Sequence, residues 1–126
     1  MKVKINVAIQ IQELCEKFSN HVIKAKTAYK FAKLLKSASS EVDFYRAQYT
    51  LYIQKYSEKE ENGNIKILEN GNIKILPEMI EECKQKLEEL ENLEVDFPDV
   101  SFSLEELEEL NMTMRDILIL DAFITE

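Results

Sequence analysis

One histidine (His21), two cysteines and a surplus of carboxylates are what this 126-residue chain offers for chemistry. A lone histidine supplies neither a multi-histidine metal site nor a nucleophile–histidine–acid triad. At the edge of a helical stretch, His21 reads as a helix-start or surface residue. Cys15 and Cys83 sit on apolar stripes of helical spacing, which predicts small, reduced, buried side chains. The acidic pairs fall in Glu-rich helical segments, where a solvated face is expected before an acid–base pair or a metal cluster. The only glycines, Gly63 and Gly71, follow asparagines and do not form a phosphate-binding loop. EF-hand spacing is absent. We therefore expect no catalytic residue, no cofactor and no metal, and a chain that is not an enzyme.

Three surfaces remain that could recognise a partner. Tyr45, Tyr49, Tyr52 and Tyr56 continue a seam that begins Ala28, Phe31, Leu35, Ala38 and Val42, in alternating steps of three and four. Tyrosine buries a ring while its hydroxyl reaches water or a partner. The stripe is thus either core covered by the chain's own second half or an interface. Lys26, Lys30 and Lys33 share a helical face, with Lys24 and Lys36 nearby, and could meet phosphate or the chain's own acids. Glu105, Glu106, Glu108 and Glu109, with Glu88, Glu89 and Glu91, form either a solvated face or a mimic of the DNA backbone that occupies a basic groove on a target protein.

Charge narrows these options. Residues 1–56 carry ten Lys/Arg against four Asp/Glu, whereas residues 57–126 carry six against twenty, so +6 and −14 sum to the net −8. Opposite halves favour intramolecular pairing, and the surplus disfavours nucleic acid as a partner. No apolar run reaches the roughly 18 residues of a membrane span, which predicts no membrane partner. The N-terminus shows no secretory signal pattern.

The elements that must position these residues follow in order. Alternation from Val3 predicts a strand at about 2–6, and Asn6 could cap a helix at about 7–19. The seam predicts a long helix over 21–57. Ser37, Ser39 and Ser40 could instead split it into two helices, although the seam keeps phase across them.

Next, Glu61–Leu68 and Glu69–Leu76 are the same eight residues, Glu-Asn-Gly-Asn-Ile-Lys-Ile-Leu. Asn-Gly between alternating runs signals a hairpin. A three-residue loop, Glu69-Asn70-Gly71, would pair Ile67 with Ile73 and Ile65 with Ile75, placing Lys66 opposite Lys74 where nearby acids could compensate. Pro77 opens a helix over 77–92, and Leu93–Phe97 alternates as a strand. The capping box Ser103-Leu104-Glu105-Glu106 opens a helix over 104–110. A last helix over 114–124 should bury Ile117, Leu118, Leu120 and Ile124.

The fold expected is α+β and mostly helical, in a single domain, 1–126. It comprises a basic helical half (1–57) built on a long N-terminal helix or helical hairpin, a small antiparallel β-hairpin sheet at 61–76, and an acidic half of C-terminal helices (77–126).

The order of these features resembles a known family. A Met-Lys-x-Lys start leads to an apolar helix and then a Lys/Ala-rich helix ending in Tyr56-Ser57-Glu58-Lys59-Glu60-Glu61-Asn62-Gly63. A strand, a Glu/Leu helix, Glu94-Val95-Asp96-Phe97 and Ser-Leu-Glu-Glu-Leu at 103–107 follow. This is similar to short, functionally uncharacterised proteins encoded by phages and prophages of Gram-positive bacteria, from which the doubled octapeptide departs. The resemblance carries no catalytic signature and transfers no site residue. It implies a phage product in the host cytoplasm or in the virion, working by protein–protein interaction. Its partner would be a phage structural protein, a host protein or a second copy of the chain. A virion-assembly or accessory role is expected first. The alternative is an inhibitor that binds a host defence or nucleic-acid-processing protein through its acidic face.

Overall fold

The computed structural model describes residues 1–125. The protein is α+β and mostly helical, with a long N-terminal helix and a small antiparallel two-stranded sheet. Its residues group into two compact units, Met1–Asp43 with Glu94–Glu126, and Phe44–Leu93.

In the first unit, strand β1 (Lys2–Lys4) leads directly into helix α1 (Ile5–Lys17). The expected strand ends two residues early because Ile5 is already helical. Asn6 does not cap this helix; Lys4 holds the N-cap position without a side-chain bond, and Asn6 Oδ1 accepts from the Val7 N–H at 2.9 Å. α1 buries Ile5, Ala8, Ile11, Leu14 and Cys15, a stripe of helical period. Ser19 Oγ donates to the Glu16 carbonyl where the helix ends. Helix α2 (Ala25–Tyr56) then begins four residues later than expected and runs unbroken through the serines. Ser39 is satisfied there, its hydroxyl accepting from Gln12 Nε2 at 3.3 Å. Phe31, Leu34, Ala38 and Val42 form the buried face of α2 in this unit. Leu34, not Leu35 of the expected seam, goes deepest, because a 3.5-residue repeat drifts around a helix of 3.6 residues per turn.

Strand β2 (Glu94–Asp96) pairs antiparallel with β1, Val3 opposite Val95. Strand β3 (Phe102–Ser103) pairs in parallel with β4 (Ile124–Thr125). Between them lie helix α4 (Leu104–Glu108), helix α5 (Met114–Leu120) and a 3₁₀ turn (Asp121–Phe123). Both helices open on complete capping boxes, Ser103 with Glu106 and Thr113 with Asp116. The expected helix over 114–124 therefore stops at Leu120, and Ile124 enters the sheet. Leu118 is exposed, contrary to expectation, whereas Leu120 is fully buried. Phe31 packs on Phe102 at 4.7 Å between ring centroids, and Phe97 on Phe123 at 6.1 Å.

In the second unit, the duplicated octapeptide forms a closed three-sided ring. Its sides are the stretches around Glu58, Lys66 and Lys74. The Lys66 N–H donates to the Glu58 carbonyl at 2.8 Å, the Lys74 N–H to Lys66 at 3.1 Å, and the Glu58 N–H to Lys74 at 2.8 Å. Antiparallel bridges join Lys59 to Ile65, Ile67 to Ile73, and Ile75 to Ser57. Every contact thus recurs after eight residues, with Ser57–Glu60 supplying the first side. Ile67 meets Ile73 as expected, but Ile65 does not meet Ile75. Each of those isoleucines pairs instead with the Ser57–Lys59 stretch, because a third extended segment is present to take both edges. The two turns are alike: Gly63 at φ +86° and Gly71 at +84°, with Asn62 and Asn70 Oδ1 each accepting, at 3.0 Å, from the N–H two residues on. Such Asx turns and left-handed glycines are what Asn-Gly supplies. Glu58 bridges both lysines, Lys74 at 3.0 Å and Lys66 at 3.7 Å. A 3₁₀ turn (Pro77–Met79) then leads into helix α3 (Ile80–Glu91).

Candidate interaction site

The tyrosines of the seam divide by burial. Tyr56 is fully buried and offers no surface, which removes it from the expected interface. It closes the helix where the ring begins, and the Leu76 N–H donates to its carbonyl at 2.9 Å. Tyr52 is half-buried. Tyr45 and Tyr49, one turn apart on α2, lie with ring centroids 6.2 Å apart and planes tilted by 32°. Tyr49 is 40 % exposed. Together with Arg46, Thr50 and Glu91 these two rings border a shallow depression of about 440 Å³. Burial, then the negative charge of the Glu91 carboxylate and that of the Tyr49 oxygen when ionised, raise the Tyr45 hydroxyl above its ordinary value of 10.0, so it stays a neutral donor. Arg46 has no carboxylate partner among the described residues. Sequence reasoning passed over Arg46 and Thr50, although both neighbour the tyrosines on the helix surface. Two rings, a guanidinium and a hydroxyl can stack, donate and bury area; they include no nucleophile–base pair.

The acidic candidates divide as well. Glu106 accepts from Lys30 Nζ with both carboxylate oxygens at 2.8 Å, from the Ser103 N–H at 3.1 Å and from the Thr27 hydroxyl at 3.3 Å. The Lys30 ammonium, then the Ser103 N–H, hold its carboxyl at about 2, well below the ordinary 4.5. Glu109 pairs with Lys24 at 3.2 Å. Glu105 and Glu108 stay exposed. Glu88, Glu89 and Glu91 belong to the second unit. The lysine face is only partly spent in the same exchange: Lys30 and Lys24 turn to Glu106 and Glu109, while Lys26, Lys33 and Lys36 have no carboxylate partner among the described residues.

Other chemistry-bearing residues lie elsewhere. Burial pushes the Cys15 thiol up to about 12 and also raises that of Cys83. His21 is exposed and meets Phe18 edge to face at 5.2 Å. Asp116 is the buried partner of Lys17 at 2.7 Å; burial would raise it, but the ammonium and the Thr113 N–H bring it below its ordinary range. No three of the described His, Cys, Asp or Glu residues gather as metal ligands. No described helix is long and apolar enough to cross a membrane. Compared with protein-family models, curated proteins and solved structures, the chain finds no match.

Proposed function

We propose that this is a non-enzymatic phage or prophage protein that acts by binding another protein, as a virion-assembly or accessory component. The observation that carries the binding role is the ledge of Tyr45, Arg46 and Tyr49 on α2. Tyrosine and arginine are the side chains most enriched at the energetic centres of protein interfaces. Two neighbouring tyrosine rings bury area at low entropic cost, and an arginine without a carboxylate has its donors free for a partner. The phage context rests on the sequence resemblance.

The inhibitor alternative is carried by Glu105 and Glu108, since Glu106 and Glu109 already hold lysines of the same unit. The test is capture of partners by the tagged protein from infected cells, with Tyr49→Ala and Glu105→Gln/Glu108→Gln run in parallel. Loss of a few kcal/mol at a central tyrosine weakens binding more than tenfold. We expect Tyr49→Ala to lose the captured protein and the glutamine pair to keep it. Undiminished capture by Tyr49→Ala would overturn the ledge. Loss in the glutamine pair alone would favour the inhibitor.

A further inference from the structure

We infer that the ledge continues onto α3 as a groove that takes a basic amphipathic helix of the partner protein. This rests on the protein-binding reading above and adds the chemistry of the partner. Glu91 borders the tyrosine depression and also a second depression of about 400 Å³. The second is lined by the apolar Ile75, Ile80, Cys83 and Leu87, which we take as its floor, and by the charged Lys84, Glu88 and Glu91, which we take as its walls. Ile80 is 50 % exposed although it belongs to the same stripe as Cys83 and Leu90, which are buried. Ile80 and Leu87 are seven residues apart, two turns of one helix face. A helix laid in such a groove anchors residues at i, i+3, i+4 and i+7.

The sign of the partner follows from the charges around that floor. Residues 77–92 hold six glutamates (78, 81, 82, 88, 89 and 91) against two lysines, 84 and 86, a balance of −4. Only Lys86 meets a carboxylate within that segment, Glu89 at 3.8 Å. Glu78, Glu81, Glu82, Glu88 and Glu91 have no cation partner among the described residues. An apolar stripe flanked by Lys or Arg satisfies both floor and walls, whereas one flanked by acids meets like charge. The −4 balance likewise disfavours α3 of a second copy as the occupant.

The test uses the full chain and three synthetic probes. One is a leucine/lysine peptide with leucines at i, i+3, i+4 and i+7. The second replaces its lysines by glutamate. The third keeps the leucine/lysine composition in scrambled order. Binding is followed by amide chemical shifts at about 0.1 M salt, where exposed charges still act over roughly 10 Å. The patterned lysine peptide should move signals of Ile80, Leu87, Glu88 and Tyr49, and bind at least tenfold tighter than either control. Ile80→Ala and Glu88→Gln/Glu91→Gln should each weaken it, with circular dichroism confirming the helices. Three results overturn the inference: equal binding of the scrambled peptide, equal binding of the glutamate peptide, or shifts confined to other residues. Should any of these occur while Tyr49→Ala still abolishes capture, the ledge stands and the groove assignment falls.

Discussion

At the scale of single residues, the candidate acids show how an internal partner converts a surface charge into a structural one. Glu106 lies at the third position of α4, where its carboxylate closes a capping box, and it also receives the Lys30 ammonium. An N-cap interaction is worth ~1 kcal/mol, and the Lys30–Glu106 pair, with side chains only 21 % and 24 % exposed, adds about the ~1 kcal/mol at the top of the range for surface pairs. Glu106→Ala should therefore cost about 1–2 kcal/mol in urea unfolding at neutral pH. Glu106→Gln, which keeps the box but not the charge, should cost about half as much. The pH dependence has a fixed sign. Because the folded carboxyl is held at about 2 against an ordinary 4.5, its contribution is complete above pH 4.5 and is lost as the pH falls toward 2. Wild type should lose more stability over that window than Glu106→Gln. Parallel pH profiles for the two proteins would refute the lowering of the Glu106 carboxyl in the folded state. The exposed Glu105 and Glu108 lack such partners, and glutamine there should leave stability at neutral pH unchanged.

At the scale of elements, the ring explains what the duplication does. Each of its three sides meets the other two, so no strand edge is left open. Removing Glu69–Leu76 deletes one side but leaves Tyr56–Glu60 and Asn64–Leu68. Leu68 would then precede Pro77, as Leu76 does now. Ile67 could take the place of Ile75 opposite Ser57, giving a plain two-stranded hairpin with the existing Lys59–Ile65 bridge. We expect the deleted protein to melt cooperatively with its helices intact; a broad, non-cooperative transition by circular dichroism would refute this. The same ring marks how far the sequence could be read. Local signals were legible: the capping box at Ser103, the Asn-Gly turns, the Ile67–Ile73 pair, and a helix in phase across Ser37–Ser40. Pairings set by distant residues were not. Nothing in Ser57-Glu58-Lys59-Glu60 resembles Ile-Lys-Ile-Leu, yet backbone bonds, with Glu58 bridging the two lysines, make it the third side. The two-residue strands β3 and β4 have no periodicity to detect, and they pair across 22 residues of sequence separation. The tyrosine seam was legible as a stripe, but its split into buried Tyr56 and exposed Tyr49 depends on tertiary packing that spacing does not encode.

At the scale of the molecule, charge decides which associations are open to the chain. The basic N-terminal stretch and the acidic C-terminal stretch do pair, through Lys2–Asp96, Lys17–Asp116, Lys24–Glu109 and Lys30–Glu106, all within the first unit. That unit still carries nine Lys/Arg against fourteen Asp/Glu, and the second carries seven against ten, so the balances are −5 and −3. Two copies of the chain therefore approach one another with like charge on both units, and repulsion of this kind is strongest where salt is low. The exposed aromatic ledge and the apolar groove floor act in the opposite direction, since burying them is worth about 25 cal/mol per Å² of apolar surface. At low ionic strength repulsion should prevail, and sedimentation should give a monomer of 14.7 kDa at micromolar concentration. Raising the salt screens the repulsion but leaves the apolar attraction in place. Any self-association should therefore grow with salt, and Tyr49→Ala should suppress it. Binding of a basic partner helix should weaken over the same salt series. A dimer that persists at low salt and survives Tyr49→Ala would place the contact on another surface and remove the ledge from self-association.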